Sequence, residues 1–135
     1  SGEYSSYNPV WSPDDQRLVY YFEKGDNMDQ IYLTDLKGTF HRNLSSDTTH
    51  NFYPSWIDDH TILHTHQSRQ LALMDDEGKH RRLLQGIDSY FGRYNAANGK
   101  IAYLEIQTEN AVVLYDLKTG EKTPIISQKS LEGMF

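Results

Sequence analysis

The sequence contains no cysteine, and it has only four prolines and nine glycines among its 135 residues. Without thiols, the chain can form neither disulfide bonds nor thiolate metal sites, and thiol catalysis is excluded. Long apolar runs are missing too, since none approaches the roughly 18 residues of a membrane-spanning helix. We therefore expect no direct membrane insertion by this segment. The opening residues do not read as a signal peptide, which favours a trimmed or mature chain end.

Clustered positive charge and catalytic motifs are scarce as well. The formal net charge is -6, and the 13 lysines and arginines are scattered, with one short basic cluster at residues 80–82. Binding of a phosphate backbone requires clustered cations, so nucleic acid is a poor candidate partner. The sequence has no G-x-S-x-G elbow, no P-loop and no G-x-G-x-x-G motif. These absences predict a protein that is not an enzyme and that uses no cofactor.

What the sequence does contain is an internal repeat. Residues 7–15 and 52–59 each hold an aromatic residue, a proline, a tryptophan and then a turn with two aspartates. The two tryptophans, Trp11 and Trp56, are 45 residues apart. An aspartate that ends an apolar run before a turn glycine recurs at intervals of 40 and 41 residues, at Asp35, Asp75 and Asp116. Three units of about 40 residues match the period of β-propeller blades.

Each unit is predicted to form four short strands bounded by turn residues. In the third unit, Tyr94 takes the place of the tryptophan, and residues 96–99 replace the acidic turn. Runs such as 19–22 and 112–115 are β-branched, aromatic and almost continuously apolar, as expected for strands covered on both faces. No segment carries an apolar stripe long enough for a stable helix. The predicted strands are 8–12, 17–23, 30–36, 39–44, 53–57, 61–66, 70–75, 79–84, 92–96, 100–106, 111–117 and 121–126.

The repeat resembles that of the TolB-like β-propeller family, a relative of the WD repeat. That family's blade opens with a pattern close to Pro-x-Trp-Ser-Pro-Asp-Gly, which residues 9–14 match, with Asp15 in place of the glycine. The second unit matches through residues 54–56 and departs at residues 57–58, where the family has Ser-Pro. The resemblance implies an all-β fold of three four-stranded antiparallel β-propeller blades, at about residues 7–45, 52–85 and 90–126.

Three blades are too few to close a ring, because propellers contain four to eight. An open array would leave apolar faces uncovered at both ends. We therefore expect half of a six-bladed propeller, completed either by a second copy in a homodimer or by further blades of a longer chain. The tail, residues 127–135, is a candidate start of such a blade. The resemblance also implies a bacterial periplasmic or otherwise extracytoplasmic setting, including sensor domains of membrane-anchored regulators.

The candidate binding residues lie in the two loops that join one unit to the next, at residues 45–52 and 85–93. In a propeller these loops emerge on the same face as the loops between second and third strands. Both are long and rich in aromatic residues, histidine and arginine, which are typical of protein-recognition anchors. We expect Tyr53 and Phe91 to pack between blades. The predicted ligand- or partner-binding residues are His50, Asn51, Phe52, Tyr90 and Arg93.

Histidines and paired aspartates raise the question of a metal site. His64 and His66 share one face of a predicted strand, but a zinc site needs three or four convergent ligands. No calcium-binding loop of the EF-hand type occurs, so the acidic pairs are interpreted as turn residues. We therefore predict no metal site, and we expect the two histidines to pack at a blade face or to line the channel.

The function predicted from these features is non-catalytic recognition of a protein, a peptide or a small ligand at the loop face. The alternative is the gating propeller of a prolyl-oligopeptidase-like hydrolase whose catalytic domain lies outside this chain. A purely structural role in assembly is a third hypothesis.

Overall fold

The computed structural model describes residues 6–24, 28–106 and 109–133. All twelve predicted strands are present, followed by one short helix. The elements are β1 (Ser6–Trp11), β2 (Arg17–Lys24), β3 (Met28–Asp35), β4 (His41–Asn43), β5 (Asn51–Trp56), β6 (Thr61–His66), β7 (Gln70–Asp75), β8 (Arg82–Leu83), β9 (Gly92–Asn95), β10 (Lys100–Leu104), β11 (Asn110–Asp116), β12 (Lys122–Ser127) and α1 (Gln128–Glu132).

The strands form three separate four-stranded sheets in which each strand pairs antiparallel with its sequence neighbours. We call them blade 1 (β1–β4), blade 2 (β5–β8) and blade 3 (β9–β12). The register is the same in all three, because Trp11 pairs with Leu18, Trp56 with Ile62 and Tyr94 with Ile101. The predicted all-β propeller fold is thus confirmed, and the two tryptophans and Tyr94 occupy equivalent places.

Burial along the strands of blades 2 and 3 follows their position in the row, whereas β3 of blade 1 has four buried central residues because Tyr32 on its outer side packs against Tyr20, Phe22 and His41. The four central residues of β6 and of β7 are all buried, because blade 2 has a neighbour on both sides. In β11, buried residues alternate with half-buried ones, as expected for a sheet with one covered face. The continuously apolar strands of the outer blades therefore present apolar side chains on faces that no described residue covers.

Blades 1 and 2 meet at what we call the first interface. Its apolar core combines side chains of β2 and β3 with Trp56 and with side chains of β6 and β7. The Trp56 indole nitrogen donates a hydrogen bond of 3.1 Å to the Val10 carbonyl of blade 1. Trp56 thus fills the wedge between blades, as the sequence predicts. The buried core residues are Val19, Tyr21, Ile31, Leu33, Leu44, Trp56, Ile62 and Met74.

Blades 2 and 3 meet at the second interface, which is more uniformly apolar. Gly92 leaves no room for a side chain there, because an added Cβ would lie 2.8 Å from an Ile101 methyl and 2.9 Å from a Leu71 methyl. Full burial of one aliphatic side chain contributes about 1.5–3 kcal/mol, so this cluster is a major source of stability. Its buried residues are Leu63, Leu71, Leu73, Leu84, Ile87, Ile101, Tyr103, Val113 and Tyr115.

The aspartates of the repeat cap turns through the backbone. Asp14 accepts hydrogen bonds from the Ser12 hydroxyl and from the Gln16 amide, and these bonds lower the pKa of its carboxyl. At the end of the third strands, Asp75 accepts from the amides of Glu77 and Lys79. Asp35 and Asp116 accept from turn amides in the same way. The interpretation as turn residues therefore holds for these aspartates, but not for Asp76, which forms an ion pair with Arg17 of blade 1.

Two features of the outer blades differ from the sequence-based expectation. Trp11 does not fill a wedge as Trp56 does, because no blade precedes it among the described residues, and it is 57% exposed. The tail does not begin a further blade as far as Gly133, because residues after Ser127 turn into the five-residue helix α1. The Ser127 hydroxyl caps this helix by accepting from the Ser130 amide, and none of the helix residues is buried.

Candidate functional site

The loops that join the blades lie at the same end of the molecule as the hairpins between second and third strands. The Gln67 amide donates to the His50 carbonyl at 2.7 Å, and the Ser89 amide donates to the Arg69 carbonyl at 3.0 Å. Arg69 also forms a two-pronged ion pair with Asp88. These contacts confirm the predicted loop face, which we define as residues 45–53, 67–69 and 85–93.

A cavity of about 380 Å³ opens beside this face, where the first strands of the three blades stand side by side. We call it the axial pocket. Each blade contributes residues from equivalent repeat positions, which places the pocket against the innermost strands. Its lining residues are Asn8, Pro9, Val10, Tyr53, Pro54, Phe91, Gly92 and Arg93.

Backbone geometry explains why these side chains face the pocket. Asn8 and Tyr53 both adopt a left-handed conformation, with φ values of 51° and 49°. Each precedes a proline and lies at an irregularity in the pairing of the first two strands. Such a bulge bends a strand and redirects a side chain. The same local sequence therefore directs Asn8 of blade 1 and Tyr53 of blade 2 into the pocket. Phe91 occupies the equivalent position in blade 3.

The aromatic residues of the pocket form a continuous series of rings. Tyr53 lies 5.4 Å from Tyr21 and 5.5 Å from Phe91, measured between ring centroids. The guanidinium of Arg93 lies over the Phe91 ring, 5.6 Å from its centroid. Tyr53 and Phe91 remain 39% and 41% exposed, so they are not enclosed between blades as the sequence predicts. An apolar surface flanked by a cation is suited to an apolar residue beside an acidic group.

Three of the predicted binding residues border this aromatic series. The His50 ring stacks on Phe52 at 5.5 Å, and its Nδ1 pairs with the Asp29 carboxylate at 3.1 Å. Tyr90 is 57% exposed, while its carbonyl accepts a hydrogen bond of 2.7 Å from the Thr65 hydroxyl. Arg93 lies in the pocket wall, whereas Phe52 is partly buried and packs against the core of the first interface.

Asn51 requires a correction, because it is fully buried. Its amide nitrogen donates to the Asp47 carboxylate at 2.9 Å and to the Thr49 carbonyl at 3.1 Å. Its side-chain oxygen lies 2.9 Å from Nδ1 of His66. Asn51 therefore holds the first inter-blade loop together from inside and offers no surface to a partner.

A partly buried ionic contact anchors the same loop. Burial alone would raise the pKa of Asp47, but hydrogen bonds from Arg81, from the Thr49 amide and from Asn51 lower it to about 2. The Arg81 guanidinium donates to Asp47 at 2.6 Å. This pair links the outermost strand of blade 2 to the loop that leaves blade 1. The basic cluster of residues 80–82 thus serves packing as well as solubility.

His64 lies in the first interface, facing blade 1, and is fully buried. Neither of its ring nitrogens has a hydrogen-bond partner in the described part of the chain, and burial lowers its pKa to about 3. Its neighbour His66 is engaged by Asn51. Within residues 6–24, 28–106 and 109–133, no group of three or more histidines and carboxylates is placed to hold a metal. The histidine pair therefore packs at a blade face.

The opposite end of the first interface carries a contact that the sequence analysis missed. Arg17 at the start of β2 forms a 2.8 Å ion pair with Asp76 of blade 2 and donates to the Asp59 carbonyl. Its guanidinium also lies 5.2 Å from the centroid of the Trp56 ring. Arg17 and Asp76 are 59 residues apart, so no local pattern indicates that they meet.

No family model and no curated protein matches the sequence. Solved structures do match at the level of the fold. The chain is 20% identical to TolB from Acinetobacter baumannii, with a TM-score of 0.74, covering 88% of this chain and 32% of that one. It is 17% identical to a putative TolB from Agrobacterium tumefaciens, with a TM-score of 0.77, covering 90% and 49%.

A puromycin-hydrolysing peptidase from Mycobacterium tuberculosis is also similar, at 15% identity and a TM-score of 0.72, covering 92% of this chain and 21% of that one. The chain therefore spans between a fifth and a half of the proteins it resembles. No helix among the described residues is long and apolar enough to cross a membrane. The repeat register, the three sheets and these structural matches together give the chain the fold of three consecutive blades of a TolB-like β-propeller.

Proposed function

We propose that this chain is a non-catalytic binding module that recognises a protein or peptide segment at the axial pocket and the adjoining loop face. The observation that carries the proposal is the exposed pair Tyr53 and Phe91, with Arg93 beside it, at a cavity of about 380 Å³. Exposed aromatic residues with a neighbouring arginine are the residue types that dominate protein-recognition energetics. The segment that fits best carries an apolar anchor next to a carboxylate, which would pair with Arg93.

The proposal includes an extracytoplasmic setting, because the sequence resemblance implies a periplasmic protein or the sensor part of a membrane-anchored regulator. His50, the histidine nearest the aromatic series, is paired with Asp29 and stacked on Phe52.

Selection of a phage-displayed library of random peptides against the purified chain tests the proposal. We expect enrichment of peptides with an aromatic or aliphatic residue beside an aspartate or glutamate. Their affinity should fall at least about fivefold for Tyr53→Ala, Phe91→Ala and Arg93→Ala, since anchor truncations typically cost more than about 1 kcal/mol.

Arg42→Ala is the matched control for Arg93→Ala. Arg42 lies over the Phe40 ring at 5.5 Å, almost the same geometry as Arg93 over Phe91, but on the outermost strand of blade 1. Its substitution should leave peptide affinity unchanged. Failure to enrich any peptide, or equal losses for Arg42→Ala and Arg93→Ala, would contradict the proposed site.

A second candidate function is the gating propeller of a hydrolase. The observation that favours it is the likeness to the propeller-containing puromycin-hydrolysing peptidase. In that case a catalytic α/β-hydrolase domain with a G-x-S-x-G motif would be encoded in the same gene. Sequencing of the flanking reading frame separates the two candidates.

A further inference from the structure

A second cavity opens on the loop face next to the axial pocket. It has a volume of about 180 Å³, and we call it the loop pocket. Its lining comes from β5, from the hairpin between β6 and β7, and from the loop that joins blades 2 and 3. All of its walls therefore belong to blade 2 and the loop after it, so the cavity does not depend on what packs against the outer blades. The lining residues are Phe52, Tyr53, Ser68 and Tyr90.

Tyr53 is a wall of both cavities, and it is the lining residue that they share. The Phe91 ring, 5.5 Å from the Tyr53 ring between centroids, lines the axial pocket. The Phe52 ring, 5.8 Å from the Tyr53 ring, lines the loop pocket. The guanidinium of Arg93 lies over Phe91. The series therefore runs from the Arg93 cation through the axial pocket and Tyr53 to the loop pocket.

The cation at one end of this series is available to a carboxylate. Arg17, Arg69 and Arg81 each form an ion pair with an aspartate, whereas Arg93 forms none with any residue that the structure describes. Its guanidinium contacts the Phe91 ring instead. The acidic residue of a bound segment would therefore lie beside the axial pocket, at the end of the series away from the loop pocket.

The loop that carries Tyr90 is held by hydrogen bonds on both sides of that residue. The Tyr90 carbonyl accepts from the Thr65 hydroxyl at 2.7 Å, and the hydroxyl of the buried Ser89 donates to the Phe91 carbonyl at 3.0 Å. The exposed Tyr90 ring thus projects from a fixed backbone. Walls that are already in place lower the cost of ordering side chains and loops on binding.

Hydroxyl groups at the loop pocket are available to a ligand. Ser68 is exposed and forms no hydrogen bond with another described residue, and the same is true of the Tyr53 and Tyr90 hydroxyls. A mostly apolar cavity with a few polar groups at its edge is typical of ligand sites. The rings would pack against an aromatic side chain, and the hydroxyls could bond to the peptide groups beside it.

The shared wall sets the distance between the occupants of the two cavities. Two side chains that contact one ring from opposite sides, each at about 3.5–4.0 Å, lie about 7–8 Å apart. In an extended segment, residues i and i+2 point to the same face and are separated by about 6.6 Å, whereas residues i and i+1 point to opposite faces. An extended segment therefore fits both cavities when one residue separates its two anchors.

We infer that the segment bound by this chain is extended and carries two anchors with one residue between them. An apolar residue occupies the axial pocket, and an aromatic residue occupies the loop pocket. The acidic residue that pairs with Arg93 flanks the axial anchor on the side away from the aromatic one. This inference rests on the proposed function, since it names the second half of the same site. It makes Tyr90 and Ser68 specificity-determining residues, although neither lines the axial pocket.

Fluorescence anisotropy of a set of labelled peptides tests the inference on the purified chain. Each peptide carries an aspartate followed by a leucine, with a phenylalanine one, two, three or four positions after the leucine and serine elsewhere. A fifth peptide lacks the phenylalanine, and a second set has the reverse order. We expect the peptide with one residue between leucine and phenylalanine to bind most tightly in its set, at least about fivefold more tightly than the peptide without phenylalanine.

Two variants of the chain then assign that gain to the loop pocket. Tyr90→Ala removes a wall, and Ser68→Trp fills the cavity, so each should reduce the affinity of the best two-anchor peptide at least about fivefold more than that of the peptide without phenylalanine. Trp11→Ala is the control, because Trp11 is as exposed as Tyr90, at 57%, but lies on the outer face of blade 1. It should change neither affinity. Urea midpoints of each variant establish that it is folded.

Either of two results would overturn the inference alone. One is an affinity that does not depend on the spacing of the two anchors, and the other is an equal effect of Tyr90→Ala on peptides with and without phenylalanine. In both cases a loss of affinity in Phe91→Ala and Arg93→Ala would leave the proposed function standing. If no peptide binds, or if Phe91→Ala and Arg93→Ala change no affinity, the proposed function fails together with the inference.

Discussion

The two interfaces between blades hold the same architecture together by different means. The first interface surrounds its apolar core with charged and polar contacts, including the Arg17–Asp76 and Arg81–Asp47 pairs, and it buries His64. The second interface is an aliphatic and aromatic cluster closed around Gly92. Ionic contacts depend on ionisation and on screening by salt, whereas apolar packing does not. The stability of the two interfaces should therefore respond differently to changes in pH and salt concentration.

The largest expected effect comes from a cavity in the second interface. Ile101→Ala removes a fully buried side chain from that cluster and should lower the free energy of unfolding by about 2–5 kcal/mol. Urea denaturation at low and high salt measures it, and the loss should be the same at both. Ile125→Ala, at an exposed position of β12, is the control and should have little effect. A loss below about 1 kcal/mol for Ile101→Ala would contradict tight packing there.

The next effect is pH dependence in the first interface. Burial lowers the pKa of His64 from 6.5 to about 3, so between these values the unfolded chain binds a proton that the folded chain excludes. Stability should therefore be fully present above pH 6.5 and fall as the pH drops. At pH 5 the loss from His64 amounts to about 2 kcal/mol, at 1.36 kcal/mol per pH unit. Urea midpoints measured from pH 7 to pH 4.5 test this.

His64→Leu isolates that contribution. Because neither ring nitrogen has a partner among the described residues, an apolar replacement should be neutral or stabilising at pH 7 and should flatten the pH profile. An unchanged slope in His64→Leu would show that another group controls the pH dependence.

A smaller effect is expected from the ion pair at the other end of the first interface. Arg17→Met keeps an unbranched aliphatic side chain but removes the guanidinium that lies over Trp56 and donates to Asp76 and to the Asp59 carbonyl. We expect a loss of about 1.5 kcal/mol at low salt, as is typical of hydrogen bonds to charged groups, and a smaller loss in high salt. If the loss of stability were the same at low and high salt, Arg17 would stabilise the interface by packing on the Trp56 indole and not by its charge.

The smallest effect should come from Arg69, whose partly exposed pair with Asp88 joins a hairpin of blade 2 to the loop between blades 2 and 3. Arg69→Ala should leave the urea midpoint unchanged within error, because exposed ion pairs contribute little. A clear loss of stability would mean that the second interface depends on charge as the first does, and the contrast between the two would disappear.

The strands and turns could be predicted from the sequence because their signals are local. Strands β6 and β7 begin and end where the alternation of apolar runs and turn residues predicts. Asp75 caps its turn through amides within four residues of itself. The equivalence of Tyr94 to the two tryptophans follows from the repeat alone and agrees with the strand register.

Features that depend on a neighbouring blade could not be predicted in this way. Trp11 and Trp56 have nearly the same local sequence, yet one is exposed and the other buried, because only Trp56 has a preceding blade. Asn51 is of a residue type common in surface loops, but its side chain is buried because it is hydrogen-bonded to Asp47 and His66. The sequence predicts Arg93 of the pocket wall and the nearby Tyr90 as binding residues. Tyr53 and Phe91, which also line the pocket, could have been predicted from the repeat position that they share with Asn8.

Backbone NMR of the chain, titrated with a peptide recovered by the selection, tests the central claim most directly. We expect the largest amide shifts on Asn8, Tyr53 and the segment 91–93, and in Arg93→Ala we expect them to be clearly smaller at the same peptide concentration. Shifts centred on the opposite end, around Arg17 and Asp76, or shifts that persist undiminished in Arg93→Ala, would contradict recognition at the axial pocket.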